Sequence, residues 1–325
     1  MTLPRRKFLR LATAFAAAPA ISRGAFAQTW PSRPIKWIVP FPAGGTTDLV
    51  ARLLGQWLSD RLGQPVVIEN KPGGGTNIAV QAVVSAPPDG YTLLFILSTN
   101  AINPSLYKSL PFDFQRDIVP VAALAELPLL LVVNKDLPVK NVAEFVAYAK
   151  ANPGKVNVGS FGARTVAHLG IELLKSSTGI DVVHVPYRGS SPMTGDILTG
   201  RIQAGVDALP NVLPHARSGG YRALAVLAPQ RTPALPDVPT MGETIKGYEV
   251  STWSGIGVPK GAPQAIVERL NRETNAGLKD PTVTARLAQV GALPIIASPD
   301  EMRARIAADI EKWAKVIKAA GIQPD

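Results

Sequence analysis

The stretch from Ile35 to Gly63, IKWIVPFPAGGTTDLVARLLGQWLSDRLG, constrains the chain more than any other. Ile35 to Val39 is a short β-prone run. Pro40 and Pro42 stop it, because proline cannot donate to a sheet ladder. Ala43-Gly44-Gly45 allows a turn with positive φ and leaves its N–H groups uncovered by side chains. Thr46 or Thr47 then caps a helix, with Asp48 in the first turn. Leu49, Val50, Leu53, Leu54, Trp57 and Leu58 recur at helical spacing, and Gly63 stands where a C′ glycine ends the helix. The stretch is a strand, a glycine turn and a helix. Free N–H groups from Ala43 to Thr47, at a helix N-terminus, suit a carboxylate or phosphate. A plain βα turn looks the same, so the loop alone does not decide between the two.

The unit repeats. Val66 to Ile68 is a second strand, followed by the glycine-rich loop Glu69 to Asn77 and a helix through Ile78, Val80 and Val84. Tyr91 to Leu97 is a near-continuous apolar run, as in a buried parallel strand. It ends in the polar loop Ser98-Thr99-Asn100. Three βα repeats predict a parallel sheet with helices on both faces, whose ligands bind at the carboxyl ends of the strands. A second set follows: strands at 129–133, 156–158, 182–185, 202–206 and 223–227, and helices at 142–151 and 166–177. Gly159 to Thr165 is a strand-ending glycine loop like the first. Val250 to Val258 is β-prone and returns the chain to the first lobe. Three helices at 264–278, 282–290 and 302–320 are expected to pack there. The expected fold is α/β and two-lobed, of the venus-flytrap type. Lobe 1 comprises 28–126 and 253–325, and lobe 2 comprises 127–252. Two crossings make a hinge over a central cleft.

The N-terminus reads as an export signal. Arg5-Arg6-Lys7-Phe8-Leu9-Arg10 precedes an apolar run from Leu11 to Ile21, and Ala25-Phe26-Ala27 offers small residues for cleavage near Ala27. The paired arginines favour the twin-arginine route over an ordinary secretory leader. Periplasmic localisation follows. Half of the net charge of +10 sits in this leader, leaving +5 scattered among acids. No basic run is interleaved with aromatics, so no nucleic-acid partner is expected. A mild positive field still gathers small anions. The chain has no cysteine, which removes disulfides, thiolate metal sites and a cysteine nucleophile.

An enzyme of this class needs an activated nucleophile, a metal cluster or a cofactor motif. No G-x-S-x-G is present. Gly73-Gly74-Gly75 lacks the Gly-Lys-Ser/Thr of a P-loop, and Ile78 stands where a dinucleotide fingerprint needs its third glycine. His168, His184 and His215 are far apart and lack a carboxylate cluster. His184 alternates with Val183 and Val185 and reads as structural. No catalysis, metal or cofactor is expected.

Binding fits better. The first loop offers backbone N–H groups. The second offers Ser160, Thr165 and the Arg164 guanidinium, which either pairs bidentately with a carboxylate or is a surface arginine. Asp207, after the 202–206 strand, is either a cleft acceptor or a turn residue.

The residues that carry a family resemblance stand in order. They are Val39-Pro40-Phe41-Pro42-Ala43-Gly44-Gly45, Gly63-Gln64-Pro65-Val66-Val67 and Glu69-Asn70-Lys71-Pro72-Gly73. Pro88-Asp89-Gly90-Tyr91-Thr92-Leu93, Asn103-Pro104, His184-Val185-Pro186-Tyr187-Arg188-Gly189 and Ala234 to Thr240 follow. The chain resembles the Bug family, the extracytoplasmic solute receptors of tripartite tricarboxylate transporters. The resemblance implies a non-catalytic periplasmic binding protein. It also implies ligand contacts at Phe41, Pro42, Ala43, Gly44, Gly45 and Thr46, at Ser98 and Thr99, and at Ser160, Thr165, His168 and Asp207. Arg164 departs from the glycine or serine usual there, and either narrows the pocket or adds a salt bridge. The expected ligand is a small organic acid, and the expected partners are membrane permease subunits, with a signalling partner as the alternative. The receptor itself is expected to be a monomer.

Overall fold

The computed structural model describes residues 30–187 and 189–324, so the export signal expected at the N-terminus lies outside the described residues. Two mixed sheets divide the chain. The first contains β1 (Ile35–Val39), β2 (Val66–Asn70), β3 (Thr92–Leu97), β4 (Ile118–Leu127), β10 (Thr252–Pro259) and β11 (Leu293–Pro294), in the order β11-β4-β10-β3-β1-β2. The second contains β5 (Leu129–Asn134), β6 (Asn157–Ser160), β7 (Val183–Pro186), β8 (Ala204–Ala208) and β9 (Tyr221–Val226), in the order β7-β6-β8-β5-β9.

The parallel core expected from the βα repeats is present: β1 pairs parallel with β2 and β3, and β6 with β7 and β8. The strands by which the chain enters each sheet after a crossing, β5 and β10, run the other way. β10 is antiparallel to β3 and β4, and β5 is antiparallel to β8 and β9. Each of these entering strands lies antiparallel between its two neighbours, which makes both sheets mixed. Pro128 alone separates β4 from β5, and residues 227–251 link β9 to β10.

The elements form where their side chains bury one face. In helix α1 (Thr46–Leu62), Val50, Ala51, Leu54, Leu58 and Leu62 face the first sheet. Trp37 of β1 and Phe95 of β3 are buried beneath them, with ring centroids 5.7 Å apart. Gly63 closes α1 at φ 72°, where only glycine avoids a Cβ penalty. After the short helices α2 (Asn77–Val84), α3 (Ser98–Ile102) and α4 (Phe114–Asp117), α5 (Val142–Ala151) covers the second sheet with Val142 and Phe145, joined by α6 (Val166–Thr178) with Leu169 and Leu174. α7 (Ser190–Leu198) and α8 (Leu209–Arg217) cover its other face with Met193, Ile197 and Val212.

The closing helices differ from expectation in one respect. α9 (Gln264–Lys279) and α10 (Pro281–Gln289) pack on the first sheet, as expected. α11 (Pro299–Ala319) serves both lobes. Its Met302 and Ile306 bury with Ile96 and Trp253, while its Trp313 and Ile317 bury with Leu169 and Ala204. A helix of 21 residues is about 30 Å long, so one apolar stripe reaches across the two sheets.

Candidate functional site

The first loop is held from below by one buried carboxylate. Asp48 Oδ2 accepts from the Gly44 backbone N–H at 2.9 Å and from Arg52 Nε at 2.8 Å. Asn70 Nδ2 donates to Asp48 Oδ1 at 3.0 Å and to the Phe41 carbonyl at 2.9 Å. Burial alone would raise the Asp48 pKa. The bonds from Arg52, Gly44 and Asn70 outweigh it and hold the carboxyl down at about 2. Two expectations change. Gly45 is the N-cap, without a side-chain bond, so neither Thr46 nor Thr47 caps the helix. The Gly44 N–H is engaged by Asp48 and is not available to a ligand. The first helical bond runs from Leu49 N to Gly45 O, so the N–H groups of Thr46 and Thr47 precede the ladder. Gly44 has φ 85°, a conformation that glycine adopts without strain.

The second loop follows β6 and rests on two histidines. His184 Nε2 lies 2.7 Å from Ser160 Oγ, and Ser160 Oγ donates to the Gly162 carbonyl at 2.9 Å. With that hydroxyl proton directed at Gly162, His184 is the donor of the shared bond. The Arg164 backbone N–H donates to His168 Nδ1 at 2.9 Å, which fixes His168 as the neutral Nε2–H tautomer. Burial pushes both imidazoles down to about 4, helped at His168 by the nearby charges of Lys175 and Arg164. Thr165 Oγ1 donates to Gly162 O at 2.8 Å and caps α6. Arg164 sits at φ 61°, a position that favours glycine, and its Nη2 donates to the Gln323 carbonyl at 3.4 Å.

The two loops flank one cavity of about 690 Å³, a size that suits a small metabolite. Phe41, Pro42, Ser98, Thr99, Arg164 and Thr165 line it. Ala43, Gly44, Gly45 and Thr46 lie on the same loop but do not line it. Ser160 and His168 sit behind the wall as supports of the second loop. Asp207 is 1% exposed and does not line the cavity. Its Oδ1 accepts from Ser190 Oγ at 2.6 Å, the Ala208 N–H at 2.7 Å and Asn211 Nδ2 at 3.2 Å, on the side of α7 and α8. Burial raises its pKa against those bonds. Among the described residues, no group of three or more His, Asp or Glu is placed to hold a metal.

Sequence reasoning did not select Tyr107, Leu127, Leu129, Phe161 or Thr252, which also line the cavity, and it took Thr47 only for its backbone N–H. Phe161 had a signal, since it follows Ser160 in the glycine loop. Leu127, Leu129 and Thr252 lie at the two crossings between sheets and have no motif of their own.

The sequence profile of the tripartite tricarboxylate transporter family receptor, TctC, matches residues 50–322. Protein BugT of Bordetella pertussis is 41% identical over 312 residues, covering 94% of this chain and 95% of that protein. R. palustris Rpa4515, solved with adipate, is 39% identical with a TM-score of 0.81 and covers 91% of this chain and 100% of that one. MatC from Rhodopseudomonas palustris, solved with bound malate, is 33% identical with a TM-score of 0.76 and covers 89% and 100%. With its two sheets, its interlobe cavity and this likeness along its length, the chain belongs to the TctC family of tripartite tricarboxylate transporter receptors, together with the Bug proteins.

Proposed function

We propose that the chain is a periplasmic receptor that captures a small carboxylate in the cleft between its lobes and presents it to the permease of a tripartite transporter. The observation that carries the reading is the cavity bounded by a glycine loop from each sheet, Phe41 and Pro42 on one side and Arg164 and Thr165 on the other. Adipate and malate in two relatives support a carboxylate as the ligand class. We assign lobe 1 to residues 28–126 and 253–325, lobe 2 to 127–252, and the leader to a cleaved export signal. The work is binding without turnover. Hydroxyls and backbone donors replace water around the carboxylate, and closure of the lobes dries the site, where those bonds strengthen.

A thermal-shift screen of purified protein against amino acids, aromatic acids, dicarboxylates and tricarboxylates tests this. A ligand of the folded state raises the melting temperature by mass action. A saturable shift for one class of acids supports the receptor reading. Stabilisation by neutral solutes alone, with every acid inert, contradicts it.

A further inference from the structure

The cavity walls differ in what they leave unpaired. In one part the hydroxyls of Thr47, Ser98 and Thr99 have no hydrogen-bond partner among the described residues. All three belong to the first lobe, at the start of α1 and the carboxyl end of β3. Elsewhere the polar side chains already bond within the protein, and Thr76 Oγ1 accepts from Asn100 Nδ2 at 2.8 Å. Thr165 donates to Gly162 O at 2.8 Å, and Thr252 donates to Leu127 O. Asn103 donates to Gly75 O at 2.7 Å and Tyr107 to Gly74 O at 3.3 Å. The remaining surface is hydrocarbon: Leu106, Leu127 and Leu129 at the base, Val166 and Phe161 from the second lobe, and Phe41 from the first. Phe41 is 40% exposed, a large apolar side chain with no covering layer. Neither Phe41 nor Phe161 stacks on another ring among the described residues. No Asp, Glu or Lys lines the cavity, and its single charged side chain, Arg164, is engaged with the C-terminal segment at Gln323.

We infer that the ligand is a carboxylate carried on an apolar body, aromatic or aliphatic, rather than a hydroxylated acid. The inference rests on the receptor reading above and narrows it. The carboxylate takes the unpaired hydroxyls of Thr47, Ser98 and Thr99. The body lies against Leu127 and Leu129, with Phe41 and Phe161 covering it from opposite lobes. A hydroxyl on that body would leave water for a surface whose acceptors and donors are already paired, which costs affinity at each group. Methylene or ring carbons gain affinity there in proportion to the apolar area removed from water.

Calorimetric titration with matched six-carbon probes tests this. Hexanoate is the apolar acid, gluconate the hydroxylated acid, and hexanamide the neutral isostere of the first. Hexanoate is expected to bind about tenfold or more tighter than gluconate, since each unpaired hydroxyl costs on that order. Gluconate binding as tightly as hexanoate overturns the apolar body and leaves the carboxylate reading intact. Hexanamide binding as tightly as hexanoate overturns the carboxylate reading itself. Phe161→Ser is expected to weaken hexanoate several-fold and leave gluconate unchanged, whereas equal losses for both probes count against the apolar contact. The probe comparison on the unaltered protein stands even where that variant fails to fold.

Discussion

The rings of His168 and His184 stack face to face, with centroids 3.9 Å apart and planes 9° from parallel. One begins in α6 and the other in β7, and each holds a different part of the 159–165 loop: His184 holds Ser160, and His168 holds the Arg164 backbone. Both roles are filled by neutral rings. A proton on His168 Nδ1 removes the acceptor of the Arg164 N–H, and two charged rings at this distance repel.

The pair therefore makes stability dependent on acid. Burial first, then Lys175 and Arg164 for His168, and His168 and Lys175 against the opposing Glu172 for His184, hold both pKa values near 4 against an ordinary 6.5. As pH falls from 6.5 towards 4, the unfolded chain takes up protons that the folded protein refuses, so stability falls through that window and the loss levels off below it. Melting temperature measured from pH 7 to pH 4 checks this. His184→Gln is expected to flatten that acid limb, and an unchanged limb in the variant would remove the pair from the account.

Asp48 fixes the first loop through Gly44, Arg52 and Asn70. Asp48→Ala leaves the Gly44 N–H to water and breaks the tie to the Asn70 amide. A loss of about 1.5–3 kcal/mol is expected in urea unfolding, since bonds to charged groups are worth about that much. Ligand affinity should fall with it, because the loop is no longer preorganised. Full stability in the variant would mean that the loop holds itself.

Gly44 separates a backbone requirement from a steric one. A Cβ at this position meets no atom within 4 Å, so space is not the constraint, whereas φ 85° is. Gly44→Val is expected to cost about 1–2 kcal/mol through left-handed strain, while Gly44→Asn is tolerated. Both variants can be compared by unfolding and by ligand titration. Equal losses for Asn and Val would point to a clash instead.

Arg164 occupies the left-handed region at φ 61°. Arg164→Gly removes that strain and also the bond to Gln323, so stability is expected to stay within about 1 kcal/mol of the parent. The charge effect is separate. Without the guanidinium at the cavity wall, affinity for a carboxylate should fall and lose part of its dependence on ionic strength. Retention of the full salt dependence would show that Arg164 does not act on the ligand.

Much of the fold is legible in the sequence where a strand, a glycine turn and an apolar helix follow one another, as from Ile35 to Gly63. The short helices α3, read as a polar loop, and α4 escape because one turn carries no period, and the longer elements that escape are those where proline interrupts the pattern. β4 contains Pro120, which reads as a break, yet it pairs with Gly257 at a register shift, beyond the reach of β11, which pairs only with Ala125 and Glu126. α8 carries Pro210 in its first turn and Pro214 inside, and α7 carries Pro192 and Gly195, which mask their helical period. The site is legible at its loops and illegible at its support. Nothing local announces that His168 and His184, from separate elements, meet beneath Ser160. Asp48 reads as a first-turn acid suited to the helix dipole, and only the fold brings Gly44 and Asn70 to it. Asp207 follows a strand end in sequence, but Ser190 and Asn211 take its carboxylate on the α7 and α8 side of the sheet.

The central claim is that the cleft reads a carboxylate. Its most direct test is calorimetric titration of one acid identified by the thermal-shift screen against its own primary amide, on protein freed of carried-over ligand. The two differ in charge at a single group and little in shape. Binding of the acid with loss of most affinity for the amide is the predicted result. Equal affinity for acid and amide would contradict the account.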